Sequence, residues 1–286
     1  MPHVLKKLGR LFLPPIVSKL LGKLLRAKDI PVFERVPDGW ARVTDRAESL
    51  GWNREAIVAE ERNRWESFCE KLHGHGPLGF SHETADSTTT RNIAYHNIHI
   101  SFALVLALAA HLKTKLKVLD WGGGLGHYFL VGKVLLPEVQ MDYCCHEVPL
   151  MCAEGSQLCP EVRFCSDDSC LESDYDLVVI NGSLGYFPDW KPTLGKLCSV
   201  AKDYLFLTRV FVVDRAPTFV VLHRTEEHGY HSDMLTQVFK RAELVNVVTE
   251  SGFQVVREFA VEDPPQISGI DEQCVHTGWL FKRKSN

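Results

Sequence analysis

Asp120 followed by glycines at 122, 123, 124 and 126 carries more chemical information than any other stretch of this 286-residue chain. A short apolar run, Lys117-Val118-Leu119, leads into the acid, and residues 127–136 have a helical pattern. The segment therefore reads as strand, glycine turn and helix. Glycine tolerates positive φ and lets a ligand approach the backbone with no Cβ in the way. The helix N-terminus behind the turn offers free N–H groups and a partial positive charge. A dinucleotide fingerprint needs its third glycine three residues after the second. Counted from Gly122 and Gly124, that position is His127, which carries a side chain where close helix contact wants none.

The D-x-G-x-G-x-G spacing resembles that of class I S-adenosylmethionine (SAM) methyltransferases. The resemblance implies an α/β, Rossmann-like, seven-stranded sheet with a late hairpin, preceded here by a helical N-terminal extension. It also implies SAM as cofactor, held at Asp120, Trp121, Gly122, Gly123, Gly124 and Gly126, with Asp120 offering charge to the ammonium. Ligands of open α/β sheets sit at the carboxyl ends of the strands. The second strand ends at His146-Glu147, and the Glu147 carboxylate can accept from both ribose hydroxyls. The third ends at Asp167-Asp168, where either acid could accept from the adenine amino group or simply be a solvated turn residue. The fourth ends at Asn181-Gly182-Ser183, facing methyl donor and acceptor, with Tyr186 and Phe187 as wall. The fifth places Thr208 and Arg209 at the rim. The pieces D-W-G-G-G-L-G-H-Y-F, N-G-S-L-G-Y-F and L-T-R-V-F-V resemble, over most of residues 1–260, a family of bacterial methyltransferases often found in surface polysaccharide and lipopolysaccharide gene clusters. Trp121 and the His-rich 223–231 segment depart from its usual pattern and leave the acceptor open.

Methyl transfer from a sulfonium is an in-line displacement in which alignment carries much of the rate. A hydroxyl acceptor gains further from a base. His127 after the turn and His223 after the fifth strand are the candidate bases, with His228, His231, His96 and His99 behind them; Tyr186 is a further catalytic candidate. Arg209 could clamp an acidic sugar or phosphate through a bidentate contact, or pair with Asp214 or another local acid. No metal is expected, since H-x4-H-x2-H at 223–231 is not a convergent ligand set.

These residues need elements to hold them. Strands are expected at 116–120, 140–146, 162–165, 176–181, 204–213, 254–260 and 277–282, with a short apolar run at 219–223. Helices are expected at 126–136, 148–157, 190–201 and 233–251. Strand–helix alternation implies a parallel sheet and a SAM-binding domain over 112–286. Residues 29–111 form a helical extension, with helices near 53–72 (Asn53 as N-cap) and 92–111, the latter largely buried. The Gly/Ser/Thr-rich 74–91 between them is a lid-like loop.

Residues 1–28 hold seven Lys/Arg and no acid, leaving 25 basic against 36 acidic residues, a net of −11, in the rest. So acidic a body is a poor nucleic-acid binder. Residues 16–28 pattern as a basic amphipathic helix, suited to an anionic membrane surface or to docking on its own domain. Nine scattered cysteines with no C-x-x-C pair suit reduced thiols in a cytoplasmic protein, which residues 1–28 could bring to the inner membrane as a peripheral protein. No run of about 18 apolar residues predicts a membrane span. The leading function is SAM-dependent O-methylation of a carbohydrate or sugar-linked intermediate. The rivals are a non-catalytic SAM-fold scaffold at the membrane and an NAD-dependent nucleotide-sugar oxidoreductase. Oligomeric state does not follow from these residues.

Overall fold

The computed structural model describes residues 32–41, 51–83, 90–225, 228–230, 232–262 and 265–284. The segment expected as a basic helix at 16–28, and His231, lie outside them. In chain order the strands are β1 (Phe33–Arg35), β2 (Lys115–Trp121), β3 (Gln140–His146), β4 (Arg163–Cys165), β5 (Tyr175–Asn181), β6 (Ala201–Val213), β7 (Phe219–Arg224), β8 (Asp233–Lys240), β9 (Phe253–Glu262), β10 (Ile267–Ser268) and β11 (Val275–Arg283). The helices are α1 (Glu55–His73), α2 (Ile93–Ala110), α3 (His127–Leu135), α4 (Pro149–Leu158), α5 (Trp190–Val200) and α6 (Arg241–Glu250).

Seven strands follow the order β4-β3-β2-β5-β6-β11-β9, the first five parallel and β11 antiparallel to both of its neighbours. This is the expected α/β sheet with its late hairpin. β2 reads K-L-K-V-L-D-W and is buried from Leu116 onward except for the half-buried Lys117, as a strand covered on both faces must be. Helices cover both sides. Trp190, Leu194 and Leu197 of α5 pack with Leu244 and Val248 of α6 on one face. Phe102, Val105 and Leu106 of α2 pack with Tyr128 and Val131 of α3 on the other.

A second branch was not foreseen. β6 pairs with β5 as far as Thr208, opposite Asn181, and with β8 at Val212 and Val213. From β8 the sheet continues through antiparallel β7 and β1 to β10. The helix expected over 233–251 is thus a strand followed by a helix. Asp233–Lys240 (D-M-L-T-Q-V-F-K) has six consecutive buried residues. A helix on a surface buries one stripe, whereas a strand between two neighbours buries every residue. Only from Arg241 does the one-sided pattern Leu244, Val248 set in.

Two other expectations change. Asn53 does not cap α1; its Oδ1 accepts from Leu150 N at 3.1 Å, so it caps the first turn of α4, 97 residues away. Asn92 does cap α2, accepting from Tyr95 N. α2 is not largely buried: Ile98, Phe102, Val105 and Leu106 face the sheet, while Ile100, Leu104 and Leu108 stand exposed in an i, i+4 row. By length and composition alone it is long and apolar enough to cross a membrane, a test that helices packed on a protein core also pass. All nine cysteines are free thiols.

Phe239 is buried in β8 and meets Trp190 edge-on, ring centroids 5.0 Å apart. Phe239→Ala should cost roughly 3–5 kcal/mol in urea unfolding. A loss within about 0.5 kcal/mol, normal for a surface position, would contradict β8 as a buried strand.

Candidate functional site

The turn after β2 is held from two sides. Gly122 N donates to His146 O at 2.8 Å, tying it to the end of β3, and Ser183 Oγ donates to Trp121 O, tying it to the end of β5. Gly123 lies against Asp120, where a Cβ would sit 2.3 Å from Oδ2, so no larger residue fits. Gly124 has φ +60° and meets only His127 Nδ1, at 3.6 Å from an ideal Cβ. It turns bare backbone toward a cavity of about 710 Å³. Gly126, at φ +91°, starts α3.

That cavity lies over the carboxyl ends of β2, β3, β5 and β6, where an open sheet binds ligands. Gly122, Gly123, Gly124, Glu147, Asn181 and Gly182 line one side. Burial pushes the Glu147 carboxyl up to about 7. Neither amide atom of the buried Asn181 has a hydrogen-bond partner. A bare glycine backbone, a desolvated acid after β3 and an unpartnered amide fit the amino-acid, ribose and adenosyl parts of SAM.

Three expected cofactor residues stand elsewhere. Asp120 is fully buried behind the turn, where it accepts from Tyr143 Oη at 2.8 Å; burial raises its pKa to about 7. It supports Gly123 from below and is not on the wall. Trp121 is in the core, stacked on His146 at 3.7 Å. The Asp167 carboxylate accepts from Ser169 N in its own turn, leaving Ser166 on the wall; Asp168 pairs with Lys196.

The acceptor side is walled by Trp40, Trp52, Tyr186, His223 and Tyr230. Trp52 meets Tyr186 and Tyr230 edge-on at 5.2 and 5.7 Å. Burial drives the Tyr186 hydroxyl well above its usual range. His223 stacks on Phe33 at 4.4 Å, and burial lowers its pKa to about 3, so the ring is neutral. His99 is satisfied structurally, its Nδ1 donating to Leu78 O at 2.8 Å. His127 lies just behind the wall, at 1% exposure, with both ring nitrogens unpartnered.

Arg209 reaches the cavity but not as a free clamp. Its two terminal nitrogens donate to Glu83 Oε1 and Oε2 at 2.8 and 2.5 Å. The expected alternative partner, Asp214, pairs with Arg241 instead. The guanidinium holds the Glu83 carboxyl well below the usual carboxylate range against the opposing effect of burial. Arg209 has φ +56°, a costly conformation for a side-chain-bearing residue. It occurs at a bulge, where Thr208 and Arg209 oppose the single residue Gly278. A Cβ on Gly278 would lie 2.5 Å from Thr208 Oγ1.

Glu61, His82, Glu83, Trp52 and Tyr230 were missed as site residues. For Glu61 a signal existed: it shares the i, i+4 face of Ile57, Phe68 and Leu72 in α1, all buried. A carboxylate on an apolar stripe is out of place unless it has work there. His82 and Glu83 lie in the polar 74–91 loop, of which 84–89 fall outside the described residues, and nothing local marks them. Glu83→Ala should strip Arg209 of its counter-charge and destabilise the fold by up to about 3–5 kcal/mol, the loss when one side of a buried pair is removed. Thermal unfolding measures it, and an unchanged midpoint would show that the pair carries nothing.

The family model described as "Methyltransferase domain" matches residues 93–258, from α2 through β9. No curated protein matches the chain. Solved structures of similar fold include magnesium protoporphyrin IX methyltransferase from Synechocystis PCC 6803 with bound S-adenosylhomocysteine (SAH), 15% identical, covering 81% of this chain and 98% of that one, TM-score 0.46. Another is N-methyltransferase NodS from Bradyrhizobium japonicum WM9 in complex with SAH, 15% identical, covering 78% and 100%, TM-score 0.42. Matched over more than half its length, and carrying the glycine turn on a sheet with the late reversed hairpin, the chain belongs to the methyltransferase domain family, as a SAM-dependent enzyme.

Proposed function

We propose that this methyltransferase methylates a hydroxyl of a carbohydrate or sugar-linked intermediate. The observation that carries the reading is the charge of the acceptor wall. Among the described residues lining the cavity, Arg209 is the one fixed cation, and both of its terminal nitrogens are engaged by Glu83. Among these described residues an anionic acceptor therefore meets no free cation. The aromatic wall and neutral imidazole suit a neutral, polar molecule, since such sites combine apolar surface with a few placed polar groups.

SAM, when bound, supplies a methyl group on a sulfonium already activated for displacement. Gly122, Gly123 and Gly124 give its amino-acid part a backbone surface free of side chains. Glu147 accepts from ribose hydroxyls, and Asn181 has donor and acceptor atoms to spare. On the acceptor side, Trp52, Tyr186 and Tyr230 exclude water and orient the ring. His223, neutral across the physiological range because burial lowers its pKa to about 3, is too weak a base to take up the hydroxyl proton and instead offers that hydroxyl a neutral hydrogen-bonding ring. The Arg209–Glu83 pair spans 126 residues and ties the 74–83 loop to β6.

An acid whose pKa is raised to about 7 is protonated below that pH and charged above it. SAH affinity should thus rise with pH from about 6 to about 8. Glu147→Gln should flatten the profile and cost roughly 1.5–3 kcal/mol at pH 8, the range for hydrogen bonds to a charged group. Calorimetric titration reads both; an unaltered profile in the variant assigns the ribose to another group. The acceptor is tested with methyl-labelled SAM and three sugars: neutral, amino and acidic. Label should enter the neutral sugar as an alkali-stable ether. Transfer to the amine alone would replace this reading with N-methylation, which the three wall carboxylates Glu61, Glu83 and Glu147 would then explain.

A further inference from the structure

Three side chains from three distant segments converge at the acceptor end of the cavity. α1 brings Glu61, the loop after it brings His82, and the first turn of α3 brings His127. One ligand-capable atom of each lies within 4.8 Å of the other two. His127 Nε2 is 3.9 Å from Glu61 Oε2; the His82 ring lies over that of His127 at 3.9 Å, 14° from parallel, and must turn about its side-chain torsions for a nitrogen of each ring to meet one ion. Glu61 is 4% and His127 1% exposed, yet Glu61 Oε2 and both ring nitrogens of His127 have no hydrogen-bond partner. Glu61 and His82 line the cavity itself.

A buried polar atom left unpartnered has given up its hydration with nothing in return. Glu61 Oε2 and one His127 nitrogen, with a His82 nitrogen close to both, call for a shared occupant with more attraction than their separate hydration. A water molecule needs only two to four such partners, but the donor types say more. Two imidazole nitrogens and one carboxylate oxygen suit zinc or iron(II); calcium and magnesium prefer all-oxygen sets. Three protein ligands with the remaining side open is the form of a catalytic rather than a structural centre. The outer shell is also present. Tyr230 Oη donates to Glu61 Oε1, orienting the carboxylate. Trp65 and Phe68 meet the His127 ring edge-on, each at 4.9 Å, shielding it from water.

We propose that Glu61, His82 and His127 bind a divalent transition-metal ion of the zinc–iron(II) class, with its open side toward the acceptor. The role of the ion rests on the hydroxyl-acceptor reading above: a hydroxyl at the open position loses its proton to water more readily beside a dication. The site itself does not depend on that reading.

Full-length protein prepared without chelators should carry about one zinc or iron per chain by elemental analysis. After stripping with EDTA it should bind Zn²⁺, and Co²⁺ should produce visible ligand-field bands. His82→Ala and Glu61→Gln should abolish the bands. Tyr230→Phe, which loses only the outer-shell contact, should weaken Zn²⁺ roughly 10- to 100-fold. SAH calorimetry on the same samples shows that each variant is folded and that the cofactor side is intact. If the stripped protein binds Zn²⁺ and Co²⁺ no better than His82→Ala while SAH binding persists, the metal site is overturned and the methyltransferase assignment stands. If the metal binds but stripping leaves methylation of the neutral sugar unchanged, the site survives and its role in acceptor activation is overturned.

Discussion

Strand β6 runs beside β5 as far as Thr208 and beside β8 from Val212, and Arg209 stands at the fork. A parallel sheet cannot keep one neighbour and gain another on the same edge without opening between them. The opening is the acceptor end of the cavity. The bulge that makes it possible needs Gly278 opposite Thr208 and puts Arg209 in the left-handed region. Glu83 holds the guanidinium that results and draws the preceding loop, with His82, over the sheet. The branch β8-β7-β1 then supplies His223 and Phe33 as wall. Fold and site thus share one irregularity in one strand.

Burial sets the electrostatics of this cavity more than pairing does. Asp120 and Glu147 are pushed toward neutrality near pH 7, and the His223 ring is held uncharged. Desolvation is the largest cause in each case. Arg209 and Glu83 escape because each supplies the other's counter-charge through two hydrogen bonds. The outcome is a site with one compensated ion pair and several groups whose protons are loosely poised. Such a site carries little fixed charge of its own.

Much of this was legible before any coordinates. The β2 strand, the glycine turn and α3 follow from local rules: an apolar run, an acid, then glycines where backbone must take positive φ or pass close to a neighbour. Glu147 was legible as the acid that ends the second buried strand. The boundaries of α3, α4 and α5 fell within a residue or two of the expected ones. What failed, failed for a shared reason. Asp233–Lys240 has no period that separates a doubly covered strand from a buried helix; its partners β6 and β7 decide. Asn53 has the right type for a cap, yet the helix it caps begins at Pro149. Arg209 reads as an anion clamp until Glu83, 126 residues earlier, is found between its nitrogens.

The sequence by itself determined the class of protein, because a glycine turn between strand and helix is a local backbone requirement that few other residues can meet. It also determined which strand ends would carry polar groups. Tertiary structure alone decided which of those groups face the cavity. Asp120 and Trp121 look as available as Gly122 in one dimension, and both turn into the core. It also decided which atoms are left without partners, since the loneliness of Glu61 and His127 exists only once α1, the loop and α3 have closed over them. Protonation, exposure and convergence depend on the solvent that folding removes, and no stretch of sequence contains that.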